Sequence, residues 1–266
     1  MSRGTLPPRP GTKLRKREVI FAVALGAVAA GGAGVILAES HEDSRPLAVA
    51  NEPQSYDLAE FDEVSTIGPQ RVVVTVGGEQ AIRSEGDEEA LGLLEVVVED
   101  GKLIIRPKEG FRDRFDHADL DSATFFVTVP RLDAVTVGGS GDVEVDNIEG
   151  STFDGSIAGS GGLRIAAMKV DEAEFSIAGS GDITVVGTAR DAEITIAGSG
   201  DVQAGGLRSQ TGTVSIAGAG DVELTVDGEA EVSIIGSGDV DIAGSARCTI
   251  TRIGGGDVRC AGGEVD

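Results

Sequence analysis

The chain has 266 residues, among them 40 glycines, one tyrosine and no tryptophan, and aromatic side chains make up only 3%. That excludes a core built on bulky rings and points to thin layers filled by Val, Ile and Ala, while the 40% apolar content excludes wholesale disorder. The net charge of −23 is uneven: residues 1–38 hold six bases and one acid, and the remainder holds 16 bases and 44 acids, so the body repels nucleic acid and that class of partner is excluded.

Residues 1–18 form a basic N-terminus, with Lys13-Leu14-Arg15-Lys16-Arg17 just before an apolar run. The run, 19–38, has 20 residues without a charge, long enough to cross a bilayer as a helix. Bases on its N-terminal side place residues 1–18 in the cytoplasm and export the rest. Ala48-Val49-Ala50 is a small-x-small candidate cleavage site, which would make the run a signal peptide. It lies 12 residues beyond an apolar run that is long for a signal, so the reading leans to an uncleaved signal anchor, with the membrane as partner through 19–38. Polar residues 39–55, with Pro46 and Pro53, read as a flexible linker.

Residues 56–130 read as strands: Arg71–Val76, 94–98, 102–105 and 125–129, separated by turn signals at Gly77-Gly78, Asp100-Gly101 and Pro107. Five of the eight phenylalanines lie between Phe61 and Phe126, so the filling differs from that of residues 131–266. The expectation is an opening part of a single β-helix, with a separate small β-domain as the alternative. Residues 108–121 form a charged loop that contains His117.

From 131 to 266 a five-residue unit recurs seven times. Gly139-Ser140-Gly141-Asp142-Val143 is the first and Gly254-Gly255-Gly256-Asp257-Val258 the last, with spacings of 20, 20, 19, 20, 18 and 18. Two residues before each of the first six units stands an aliphatic residue (Val137, Ile157, Ile177, Ile196, Ile216, Ile234), and four after the first glycine of all seven another (Val143, Leu163, Ile183, Val202, Val222, Val240, Val258). Apolar and polar residues alternate on both sides of the unit, the period of a strand with one buried face. Each repeat is therefore strand, tight glycine corner, strand, looser second corner. One repeat cannot bury its own apolar face, but stacked copies can, at about 4.8 Å per coil. The predicted fold is all-β: a single-stranded parallel β-helix, a solenoid with coils of about 18–20 residues, preceded by the N-terminal transmembrane or signal segment. A stack of antiparallel hairpins is the rival. It would put alternate corners at opposite ends of the sheet, against the constant period.

Phe61-Asp62-Glu63-Val64 entering a strand, Asp100-Gly101-Lys102-Leu103-Ile104-Ile105, the Val129-Pro130 step and the repeated Gly-Ser-Gly-Asp-Val together resemble the bacterial head GIN domain family of auto-transporter adhesin heads, over about residues 58–262. The resemblance implies an exported β-helical module at the surface or in the periplasm. It implies no specific activity, because the family is one of unknown function.

Candidate chemistry is sparse. The Asp column (Asp142, Asp182, Asp201, Asp221, Asp239, Asp257) stacks carboxylates that a hard cation such as Ca²⁺ would relieve, but each Asp is equally explained as the cap of its own corner. Cys248 and Cys260 are the only cysteines, both in inward columns of the last coil, and are a candidate disulfide in an oxidising compartment. His117 among surface acids and His41 in the linker supply no zinc site or catalytic triad. The glycine runs lack the Lys and the helix of a phosphate loop. No catalytic residue and no cofactor is assigned. The expected function is an exported, membrane-anchored, non-enzymatic module for adhesion, envelope organisation or scaffolding. Its partner is an envelope or surface protein or polysaccharide. It sits in the periplasm at the bacterial inner membrane, or on the surface or outside if the signal is cleaved. A Ca²⁺-binding β-roll-like protein and a carbohydrate-acting β-helix enzyme are the alternatives.

Overall fold

A computed structural model of the chain describes residues 54–56, 58–110, 120–262 and 264–265. The apolar run 19–38, the candidate cleavage site at Ala48-Val49-Ala50, both histidines and most of the charged loop lie outside the described residues. Among the described residues no helix is long and apolar enough to cross a membrane.

The fold is an all-β solenoid of about six turns, and among the described residues its helical content is one short helix, Glu88–Leu93, and a single 3-10 turn, Leu120–Ser122. Each coil contributes one strand to each of two facing ladders. In the first ladder Ala134–Gly139, Thr152–Gly159, Glu172–Gly179, Asp191–Gly198, 211–218, 229–236 and Arg247–Gly254 stack in parallel. In the second, Asp142–Val145, Gly162–Lys169, Asp182–Thr188, the start of Val202–Gly218, the start of Val222–Gly236, Val240–Gly244 and Val258–Cys260 do the same. Parallel pairing of like residue with like, Ile157 to Ile177 to Ile196 to Ile216, disposes of the hairpin alternative.

The core lies between the ladders and follows the predicted columns. Val137, Ile157, Ile177, Ile196, Ile216 and Ile234 are all buried. Gly155 breaks its own column, where Val135, Phe175 and Ile194 stand in neighbouring coils. A Cβ there would lie 2.9 Å from both Leu163 Cδ2 and Phe175 Cδ1. Leu163 and the Phe175 ring, itself 6.2 Å between centroids from that of Phe153, already take that volume, so the column trades one side chain for another.

The opening part stacks on the same axis but not in chain order. Strand Glu63–Ile67 pairs in parallel with Ala134–Gly139 on one side and with Lys102–Pro107 on the other. Arg71–Val76 likewise lies between Asp142–Val145 and Thr124–Val129. The coil made by 102–129 therefore sits outside the coil made by 63–76, although it comes later in the chain. Outside both, the direction reverses: Ala81–Glu85 runs antiparallel to Thr124–Val129, and Leu94–Glu99 antiparallel to Lys102–Pro107. Helix Glu88–Leu93 joins these two reversed strands. Asp87 caps it by accepting from the Glu89 backbone N–H, acids fill its first turn, and Ala90 and Leu93 are its buried face. The Asp100-Gly101 turn closes the hairpin of 94–99 and 102–107, with positive φ at both residues, as a tight two-residue connection requires.

Candidate functional site

The glycine corners are built by the stacking itself. Gly198 has φ +142, and a Cβ on it would lie 2.0 Å from the carbonyl oxygen of Gly179 in the coil below. On Gly200 the clash would be with Gly181 O at 2.1 Å. The carbonyl of the first glycine is occupied as an acceptor: the backbone N–H of Ser199 donates to Gly179 O at 2.8 Å, and Ser160, Ser180 and Ser237 repeat the bond at 2.8 Å. Both glycines of the unit are thus fixed by backbone contact between coils, and no bound group need be invoked to explain them.

The Asp column does the same work with side chains. Asp142 Oδ1 accepts from Gly162 N at 2.9 Å, Asp182 Oδ1 from Asp201 N at 3.3 Å, and Asp201 Oδ1 from Asp221 N at 2.9 Å. Asp221 Oδ1 takes Asp239 N at 2.9 Å, and Asp239 Oδ1 takes Asp257 N at 2.8 Å. Gly162 interrupts the ladder, and the Asp182 N–H turns to Gly161 O at 3.2 Å instead. Each of these carboxylates satisfies a donor of the next coil. The six aspartates share one corner of the solenoid, but among the described residues no group of three or more His, Cys, Asp or Glu is placed to hold a metal ion.

At the far end, Cys248 in the first ladder and Cys260 in the second are joined by a disulfide, with Cα atoms 6.4 Å apart. The next residue of the inward isoleucine column is Arg252, paired in register with Ile234. Sequence reasoning stopped that column one coil short. Arg252 is exposed, donates to Gly256 O and stands 3.6 Å from Asp257. A charged side chain thus stands where the inward isoleucine column ends.

The outward face of the first ladder carries three straight tracks. One is hydroxyl: Thr136, Ser156, Ser176, Thr195, Ser215, Ser233 and Thr251, all in register. The second is largely acidic, with Asp154, Glu174, Glu193 and Glu231 exposed, and the third, beside the corner, runs Ala158, Ala178, Ala197, Ala217 and then Ile235 and Ile253. The hydroxyl and acid tracks are hydrogen-bonded together: Ser176 donates to Ser156 Oγ at 3.1 Å, and Ser156 to Asp154 Oδ1 at 2.7 Å. A shallow groove of about 420 Å³ runs across the acidic side, lined by Asp154, Glu172, Glu174, Asp191, Glu193 and the edge of Phe153.

Electrostatics in this groove are those of a solvated surface. The Asp191 carboxyl is held below the usual carboxylate range, first by the Thr211 hydroxyl and then by Arg190, whose Nε reaches it at 2.8 Å. Asp133, at the head of the groove, is pushed up by burial, against the opposing pull of Arg131 and with Asp62 close by. Carboxylates and threonine hydroxyls make up its polar lining, groups suited to hydrogen bonding and ion pairing.

The sequence profile of the family described as "Putative auto-transporter adhesin, head GIN domain" matches residues 60–246. The chain belongs to this family. Solved structures share the fold. A protein described as a "putative adhesin" from Bacteroides fragilis superposes with a TM-score of 0.71 at 20% identity, over 80% of this chain and 96% of that one. One described as a "Putative lipid binding protein" from Parabacteroides distasonis gives 0.62 at 22% identity, over 81% and 96%. A "putative adhesin" from Parabacteroides merdae gives 0.60 at 19%, over 81% and 96%. Identities this low establish the architecture of the head GIN solenoid and nothing about its ligand. No curated protein gives a significant match. Within the family match lie the first six glycine corners, all of the groove and the reversed opening coil. Cys260, Arg252 and the seventh corner lie beyond it.

Proposed function

We propose that this head GIN domain protein is an exported, membrane-anchored, non-enzymatic module that makes adhesive or scaffolding contacts at the cell envelope. The reading rests on the outward face of the first ladder. Hydroxyl and acid tracks repeating once per coil offer many equivalent weak contacts to a partner of similar repeat, and weak contacts in parallel give useful avidity. The adhesin description of the family and of two structural relatives supports a surface role. In this proposal residues 19–38 anchor the chain in the inner membrane, the β-helix lies in the periplasm, and the partner is an envelope protein or polysaccharide.

The test is fractionation of the full chain carrying a C-terminal tag, followed by capture from envelope extract. The tag is expected in the membrane fraction, sensitive to protease once the periplasm is opened. Capture of an envelope component is expected to weaken in a Glu174→Lys/Glu193→Lys variant. A tag found in the cytosol, or capture indifferent to the two charge reversals, would overturn the proposal.

A further inference from the structure

The two ends of the solenoid are complementary in three independent respects. The first is charge. Residues 79–100, which form the reversed opening coil, hold eight acids and one base, and Glu85, Asp87, Glu88, Glu89 and Glu99 are exposed. The last glycine coil is richer in bases: between 247 and 260 stand Arg247, Arg252 and Arg259, all exposed, against Asp257, with Glu264 following on the short strand beside Cys248. The second is the core. Val96 and Val98 at the head, and Ile250 and Val258 at the tail, pack on the core yet are only partly buried, and among the described residues no coil lies beyond them. The third is the backbone. Among the described strands Leu94–Glu99 pairs only with Lys102–Pro107, and the outer side of 250–254 has no neighbour. An open strand edge is a template for another strand.

We propose that copies of this chain associate head to tail, the acidic reversed coil of one seated on the arginine-bearing last coil of the next. Coil on coil, Leu94–Glu99 lies antiparallel beside 250–254, the half-buried valines of the head cover Ile250 and Val258, and helix Glu88–Leu93 sits above the last glycine corner. Glu88 and Glu89 then face Arg252 and Arg259. The contact is heterologous, using different surfaces on the two copies, so it does not close on itself and extends to chains longer than two. This inference is independent of the proposed function, since it needs neither the anchor nor an envelope ligand.

The experiment is sedimentation velocity on the full chain in a neutral detergent, with concentration and salt varied. At low salt the sedimentation coefficient is expected to rise with concentration past that of a dimer. The rise is expected to disappear in about 1 M salt, where charges beyond roughly 3 Å are screened. The Arg252→Glu/Arg259→Glu variant and the Glu88→Arg/Glu89→Arg variant should each stay monomeric, and mixing the two should restore association. That rescue separates the proposal from misfolding, which mixing does not repair. A wild-type chain monomeric at every concentration overturns it. So does association that ignores the head variant, which would be tail-to-tail, and association that ignores both, which would belong to the apolar segment.

Discussion

The opening part, residues 58–130, and the repeats, 131–262, share one core and one stacking axis, yet they choose their neighbours by different means. In the repeats the neighbour of every strand is one period along the chain, and partnership is set by translation: Gly198 meets Gly179 and Gly218 because each corner repeats the last. In the opening part, Glu63–Ile67 finds strands that begin at Lys102 and Ala134, and individual side chains make the choice. Gln70 stands where the repeats have the second corner glycine. Its side chain is fully buried there, and its amide donates to Thr66 Oγ1, Ile67 O and Ile105 O at 2.7, 3.0 and 3.2 Å. Pro69, at the serine position, has no N–H to offer a further corner. Gln80 ties down the incoming chain, accepting from Phe61 N at 3.2 Å and donating to Ala59 O at 3.0 Å. Regularity specifies the repeats, and exceptions to it specify where they begin.

The sharpest way to break this contrast is to give one glycine of each region a side chain. Gly198→Val places carbon 2.0 Å from a backbone oxygen at a φ that side chains rarely adopt. The corner must open and the bond to Gly179 O with it. A loss of more than about 4 kcal/mol is expected in urea denaturation. Gly92→Ala, in the helix of the reversed coil, meets nothing within 4 Å and has no positive φ. It should stabilise by up to about 1 kcal/mol through helix propensity. Equal effects at the two positions would show that inter-coil contact is not what requires glycine in the corners.

Next in size is the disulfide at the tail. Reducing Cys248–Cys260, or replacing both by Ser, removes a link spanning 12 residues and is expected to cost about 3 kcal/mol. Hydrogen exchange should show protection lost in 247–260 and kept in Arg71–Val76, at the other end of the solenoid. Uniform loss along the chain would mean that the solenoid unfolds as a single cooperative unit rather than from its tail.

These effects follow the division between what the sequence shows plainly and what it conceals. The inward columns, the parallel stacking and the place of the corners are all readable from period and spacing, because one coil predicts the next. Ala81–Glu85 escapes the same reading: AIRSE alternates over only two inward positions, Ile82 and Ser84, and Ser84 is buried but polar. Helix Glu88–Leu93 is six residues long, too short for a helical period to stand out, although Asp87 before Glu88-Glu89 is a readable cap signal. The outside position of 102–129 has no local mark at all, since it depends on where two later strands dock. Candidate site residues divide the same way. That the six aspartates share a corner follows from the period. That the oxygens of the first five are taken up by the next coil's N–H groups depends on atomic rise and could not be counted from spacing.

A third prediction tests that use of the aspartates. In Asp201→Ala the Asp221 N–H loses its 2.9 Å acceptor. The site is partly open to water, so the expected cost is about 1 kcal/mol. Asp201→Asn keeps a carbonyl oxygen in place and should recover most of it. Should Asn prove as costly as Ala, or millimolar Ca²⁺ raise the melting temperature of the wild type but not of Asn, the column would be acting through its charge and not through its hydrogen bonds.

The smallest effect reads the opening part alone. Tyr56 is the chain's only tyrosine, so an ultraviolet titration reports on it without interference. Its hydroxyl lies 3.1 Å from Ser84 Oγ, and burial pushes its pKa above the ordinary phenol value, opposed by the hydrogen bond to Ser84. The folded pKa is therefore the higher one. The stability tied to this group is complete below the unfolded value and declines as pH rises through the folded value, because the native state holds its proton longer than the unfolded chain does. Ser84→Ala removes the group that favours the phenolate and should move the midpoint further up, with the repeats untouched. A midpoint that stays at the free-phenol value in both proteins would mean that Tyr56 does not pack beside Phe125, where its ring centroid is placed at 6.4 Å, and that the incoming chain is not held against the reversed coil as described.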